Sequence, residues 1–251
     1  MDHFLGSRGK PPNAAAPVAP QGAAASRRGK PGAEAARYGV LRRLAPALKH
    51  DMVVHLQAVA MMAEVLNARL DRGSPSPADF QKNISDINRL AREAVAGCLK
   101  VATWISPSED VGVPLAQGVN ECVGLLQNSF NFRGFTIVSE VPDSGFEVSL
   151  VTLRNLLAAS LVAVADAAPA PGLVQVTAEM SPGHALLSVR CTPGEVVRDE
   201  PSPEVPYRQL DWADVQSLAQ AEGVELFRGE GQIAMRIPRM VATTALQIAP
   251  L

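Results

Sequence analysis

Leu48-Lys49-His50-Asp51-Met52-Val53-Val54-His55-Leu56-Gln57 is the stretch from which the rest of the chain can be placed, because a reactive side chain there sits inside a clear periodic pattern. At roughly 100° of turn per residue, Leu41, Leu44, Leu48, Met52, His55, Val59, Met62, Leu66 and Leu70 share a sector about 80° wide. Such three- and four-residue steps describe a buried stripe on an amphipathic helix. His50 lies roughly 200° from the centre of that stripe, so it is expected to face water while His55 faces the packing. Val53, Val54, Gln57 and Met61 accompany His50 outward. An apolar group on that side is more than a solvated face needs, and it is expected to dock a partner.

Outward from this stretch, the helix starts near Arg37 or, if Pro46 marks its first turn, only there, and it runs to about Arg72. Gly73-Ser74-Pro75-Ser76-Pro77 stops it, with Ser76 placed to cap a second helix whose first position is Pro77. That helix carries Phe80, Ile84, Ile87, Ala91, Ala94, Cys98, Ala102 and Ile105 on one face. Two long helices joined by a tight turn make an antiparallel hairpin. A lone hairpin buries one side of each helix only, so a second copy is expected to complete a symmetric four-helix bundle, making the chain a homodimer.

His-Asp-x-x-x-x-Leu-Gln on a long amphipathic helix resembles the H-box of histidine kinases and their histidine-phosphotransferase relatives. The resemblance implies that His50 is the phosphoacceptor, that Asp51 orients or deprotonates it, and that Lys49 is a counter-charge for the phosphoryl oxygens. Imidazole is nucleophilic near neutral pH, and a carboxylate on its other ring nitrogen would fix the tautomer. The motif departs from the family where Asn or Thr, then Pro, commonly follows: Val54 and His55 stand there.

After a linker at Ser106-Pro107-Ser108-Glu109-Asp110 the pattern turns to mixed α and β. The expected order is a helix from Val113 to about Asn128, strands at Phe135 to Val141 and Phe146 to Ser149, and an apolar helix from Val151 to Ala168. A strand pair follows, Leu173 to Met180 with Ala185 to Cys191, then a helix capped by Asp211 and stopped by Gly223, then a hairpin of Val224 to Phe227 with Gln232 to Ile237. This order resembles the ATP-binding domain that follows the hairpin in histidine kinases, over about Val113 to Pro238. The nucleotide groups of that family are missing. Registering Asp166-Ala167 on its pattern puts Ala163 where the magnesium-binding asparagine belongs, and alanine cannot ligate a hard cation. An earlier register would offer Asn155 instead. Where an Asp-x-Gly-x-Gly turn should read adenine, the chain has Arg190-Cys191-Thr192-Pro193-Gly194-Glu195.

The fold expected is therefore α+β: a helical hairpin forming a dimeric four-helix bundle, followed by a degenerate histidine-kinase-type α/β sandwich. Residues 1–36 read as a disordered tail rich in Ala, Pro and Gly, 37–106 as the hairpin for dimerisation and phosphotransfer, 112–240 as the α/β domain and 241–251 as a C-terminal tail. At 251 residues, 23 basic and 25 acidic side chains leave a net charge of −2, which gives no reason to expect nucleic acid. Aromatics are 4% against 47% hydrophobic residues, so Ala, Leu and Val must fill the core. The longest apolar run, Leu156 to Ala165, is too short for a membrane span, and the N-terminus shows no signal-peptide pattern, so a cytoplasmic location without membrane contact is expected. Cys98, Cys122 and Cys191 lie in no metal-ligand spacing and are expected to stay reduced. His3 and His184 are expected to be plain surface residues, with Trp104 and Trp212 anchoring the linker and the last helix.

Two functions suit this pattern. The first is a phosphorelay histidine phosphotransferase: His50 takes a phosphoryl group from the aspartyl phosphate of one response-regulator receiver and hands it to another, with no cofactor of its own and magnesium supplied by the receiver. The alternative is a non-catalytic, pseudokinase-like scaffold that binds receivers or kinases without transfer. An active ATP-dependent kinase ranks last.

Overall fold

The computed structural model describes residues 21–73, 76–105, 111–195 and 208–240. Helix α1, Gln21–Asp71, and helix α2, Pro77–Ile105, form the hairpin. Ser76 caps α2 as expected: its hydroxyl accepts from the Asp79 amide at 3.2 Å and donates to the Asp79 carboxylate at 2.7 Å. The rest comprises β1 (Gly112–Pro114), α3 (Leu115–Phe132), β2 (Thr136–Glu140), β3 (Glu147–Ser149), α4 (Leu150–Ala167), β4 (Gly172–Ser181), β5 (His184–Pro193), α5 (Trp212–Glu222), β6 (Glu225–Gly229) and β7 (Gln232–Pro238).

The five-stranded sheet has the order β2-β4-β5-β7-β6, with β2 parallel to β4 and every other pairing antiparallel. Along β4 and β5 the alternation is regular. Val174, Val176, Ala185, Leu187, Val189 and Cys191 are buried, while Thr177, Glu179, Arg190 and Thr192 are exposed. One sheet face therefore meets the helices and the other meets water. α4 is the centre of the core, with every residue from Leu156 to Ala165 buried. It is 18 residues long and apolar enough to cross a membrane by length and composition, which corrects the expectation that no segment reaches that size. Its own domain covers it instead. β1 is an addition to the expected order: Gly112–Pro114 pairs antiparallel with β3, so α3 starts at Leu115 rather than Val113.

α3 and α4 approach closely because Gly118 lacks a side chain. A Cβ there would lie 2.5 Å from Leu153 Cδ2 and 3.1 Å from Val113 Cγ1. Gly118→Val is expected to cost at least about 2 kcal/mol by overpacking, read from a denaturant midpoint. α5 is closed at both ends by local chemistry. Asp211 and Asp214 form a capping box, and Gly223 ends the helix at φ 68°, a left-handed conformation that glycine adopts without steric cost.

Two expectations about the hairpin are corrected. Residues 1–36 are not a tail throughout, because α1 begins at Gln21 and Ala33 and Ala36 are fully buried. Residues 1–20 and 241–251 lie outside the described residues. Neither Arg37 nor Pro46 marks the start of α1; both lie inside it. The second correction concerns α2, whose inward side holds Asn83, Ala94 and Trp104, with Ile87, Ala91, Cys98 and Val101 half-buried. Phe80, Ile84 and Ile105 of the expected stripe are exposed. On α1 the stripe is placed as expected from Leu44 to Leu66, and only Leu70, near the open end, is exposed.

Candidate functional site

Lys49, His50 and Asp51 are all exposed on α1, with His50 opposite the inward stripe by the helical repeat. His55 is half-buried and points at α2, where a Cβ on Gly97 would lie 3.5 Å from its Cδ2. The two histidines thus have the opposite environments that helical periodicity assigns them. Val53, Val54, Gln57 and Met61 are exposed beside His50, Val54 by 45% and Met61 by 59%. The structure therefore brings together the expected nucleophile and the expected docking group on one face.

The expected contact between Asp51 and the His50 ring is absent. No hydrogen bond or ion pair joins His50, Asp51 or Lys49 to one another among the described residues. Neighbouring residues on a helix diverge by roughly 100°, so adjacent side chains do not face each other. Asp51 and Lys49 flank the imidazole as charges and do not hold its tautomer.

Immediately before His50, α1 enters a set of buried charges that sequence reasoning missed. Arg43 donates to Asp166 at 2.7 Å and 3.5 Å, Arg133 reaches the same carboxylate at 2.9 Å, and the Leu210 amide donates to it at 3.0 Å. The Arg43 and Asp166 side chains are 8% and 1% exposed, so one carboxylate ties α1, the end of α3, the end of α4 and the approach to α5. A second knot surrounds Glu222, which accepts from Arg37 at 2.9 Å, Asn155 at 3.0 Å and Thr152 at 3.1 Å. A third joins Arg154 to Glu121 at 2.6 Å, with the guanidinium 4.7 Å from the centroid of the buried Trp104 ring. Trp104 thus anchors the end of α2, while the linker at residues 106–110 that it was expected to anchor lies outside the described residues, and Trp212 carries Arg228 at 5.6 Å. A cleft of about 470 Å³ lies between α1, α2 and α4, and its two arginines, Arg37 and Arg154, are the ones already paired in these knots.

The positions that the resemblance sets against nucleotide groups are Ala163, Asn155 and Arg190 to Glu195. Ala163 is buried, as is the helix around it. Asn155, the alternative ligand, is half-buried and donates to Glu222 at 3.0 Å. Residues Arg190 to Pro193 continue β5 in register with Gly172 to Gln175 of β4, and the Gly194 amide donates to the Pro171 carbonyl at 2.8 Å. A strand therefore runs where the adenine-reading turn was sought. The loop at residues 196–207 lies outside the described residues. Among those described, no group of three or more His, Cys, Asp or Glu side chains could hold a metal. All three cysteines are free, and burial pushes the Cys122 thiol up to about 12, with the Glu121 charge adding to it, so it is inert as a nucleophile.

No family model matches the chain, and no curated protein matches it. Solved structures do. The chain is similar to histidine kinases. Acinetobacter baumannii histidine kinase AdeS is 11% identical over 74% of this chain and 97% of its own, with a TM-score of 0.38. A bacterial phosphotransferase is 17% identical over 79% of this chain and 95% of its own, with a TM-score of 0.35. A blue-light activated histidine kinase from Erythrobacter litoralis is 17% identical over 79% of this chain and 63% of its own, with a TM-score of 0.39. These likenesses assign no activity, and the functional reading rests on the chain's own residues.

Proposed function

We propose that this chain is a cytoplasmic histidine phosphotransferase of a two-component phosphorelay, with His50 as the group that carries the phosphoryl. The observation that supports this best is the exposed His50 ring set among Val53, Val54, Gln57 and Met61, on a helix whose other histidine is turned inward. A ring nitrogen of His50 attacks the phosphorus of a receiver's aspartyl phosphate. The P–N bond forms as the acyl P–O bond breaks, and the aspartate leaves as carboxylate while the ring proton passes to solvent. Asp51 and Lys49 flank the ring as charges, Lys49 offsets the phosphoryl oxygens, and the receiver brings the magnesium. Onward transfer to a second receiver is the same step reversed.

The α/β domain would serve as structure and contact surface and not as an ATPase. Three features support that role: the buried Ala163, the commitment of Asn155 to Glu222, and the strand at Arg190 to Pro193. The deciding experiment incubates the chain with a radiolabelled phospho-receiver. Label is expected to move to the unmodified chain and not to His50→Ala, and ATP alone is expected to give no label. Receiver binding without any transfer would replace this reading with the scaffold, which the drift to Val54 and His55 and the unbonded Asp51 favour.

The reading includes a homodimer. Leu56 and Ala60 of α1 and Ile84, Val95 and Leu99 of α2 fall on the same side of the hairpin by the helical repeat, Leu99 with 62% exposure. That side is distinct from the His50 face and matches the apolar seam of a four-helix bundle. Leu99→Glu is expected to halve the mass seen by light scattering, with the α/β domain still folded.

A further inference from the structure

The half of α1 before His50 is packed as part of the α/β domain. Ala33, Ala36, Val40, Leu44 and Leu48 are buried in the same core as α3, α4 and α5. Small residues permit this closeness: a Cβ on Gly32 would lie 3.0 Å from Ser217 Oγ of α5, and one on Gly39 would lie 2.8 Å from Leu210 Cδ2. The same helix then continues without a break through His50 into the hairpin. Two polar pairs hold it along its length, Arg37 on Glu222 and Arg43 on Asp166, six residues apart in the chain and on neighbouring turns of contact. A helix held by packing on both sides of Pro46, by Leu44 before it and Leu48 after it, transmits orientation between what it joins although the proline removes one backbone donor there.

We propose that Arg37 and Arg43 are positioning residues that clamp the hairpin and the α/β domain into one rigid body, so that His50 stands at a fixed place beside the helical layer. His50 follows Arg43 by seven residues, about 10 Å of helix. This goes beyond the relay reading and does not depend on it, because a scaffold would be clamped in the same way.

The test measures the distance distribution between spin labels at Arg72, in the hairpin turn, and Thr177, on the exposed face of β4. The full chain is used, with Cys98→Ser to remove the one half-buried thiol, and labelled chain is diluted in unlabelled chain to isolate intrachain distances. The parent is expected to give a single narrow distribution. Arg37→Ala with Arg43→Ala is expected to broaden it and to speed amide exchange across residues 33–48 at least tenfold, while the β4–β5 ladder keeps its protection. Arg43 is the partner chosen for removal because Asp166 retains Arg133 and the Leu210 amide. If the double variant loses the β4–β5 protection, Arg37→Lys with Arg43→Lys takes its place, keeping charge while losing the planar fork, and partial broadening is expected. A broad distribution in the parent overturns the proposal, as does a folded variant with the parent's distribution and exchange.

Discussion

Asp166→Ala is expected to be the most damaging single substitution in the α/β domain, lowering stability by about 3–5 kcal/mol, the range for breaking a buried ion pair by removing one partner. The reason lies in what stays behind. Arg43 would keep its burial and lose both bonds, Arg133 would lose a partner at 2.9 Å, and the Leu210 amide would lose its acceptor. Arg43 already has one buried nitrogen, Nε, without a partner, and what remains for the two arginines is the Arg208 carbonyl at 3.4 Å from Arg43 and the Ala165 carbonyl at 3.4 Å from Arg133. For a chain of this size such a loss lowers the melting temperature by on the order of 10 °C. Two companions make the measurement specific. Asp166→Asn keeps an oxygen for the Leu210 amide and is expected to cost less, whereas Arg43→Ala leaves the carboxylate paired with Arg133 and is expected to cost less again. Equal losses for Asp166→Asn and Asp166→Ala would mean that the carboxylate charge, and not side-chain volume or the bond to the Leu210 amide, sets the stability of this junction.

The α/β domain was legible where short-range rules decide the backbone. Asp211 and Gly223 bound α5 as their chemistry requires, and the alternation of Val174, Val176, Leu187 and Val189 fixes which way β4 and β5 face. The hairpin was legible as helices but only half legible as packing. On α2 two apolar stripes compete, one facing α1 and one exposed in the single chain, and periodicity cannot say which meets α1. The buried Asn83 hides the true inward stripe further. The start of α1 was misread for a related reason. Ala33, Ala36 and Gly39 look like low-complexity sequence, yet both alanines are fully buried and the glycine leaves room for the Leu210 side chain. The Asp166 cluster could not be foreseen, because its members are 43, 133, 166 and 210, and no local pattern links residues that only the folded sheet brings together. His50 was legible because exposure on a helix is a local property. Its lack of a bond to Asp51 follows from the same geometry, and adjacency in the sequence had suggested the opposite.

His50→Ala is expected to abolish acceptance of label from a phospho-receiver, a loss of at least about 10³-fold, because the P–N bond has no other nucleophile on that face. Its stability is expected to stay within about 0.5 kcal/mol of the parent, since an exposed helical side chain contributes little packing. His55→Ala is expected to do the reverse. It empties space against Gly97 between α1 and α2, which is expected to cost about 1–2 kcal/mol while leaving transfer largely intact. The pair separates chemistry from folding within one helical turn and a half. Val54→Glu and Met61→Glu complete the comparison by placing charge on the apolar surround without touching the ring. They are expected to raise the receiver concentration needed for half-maximal labelling while the labelling rate at saturation is retained, since docking and bond formation draw on different atoms. Labelling that survives His50→Ala and disappears with His55→Ala would assign the chemistry to the inward ring, and the hairpin would then have to open before any receiver could reach it.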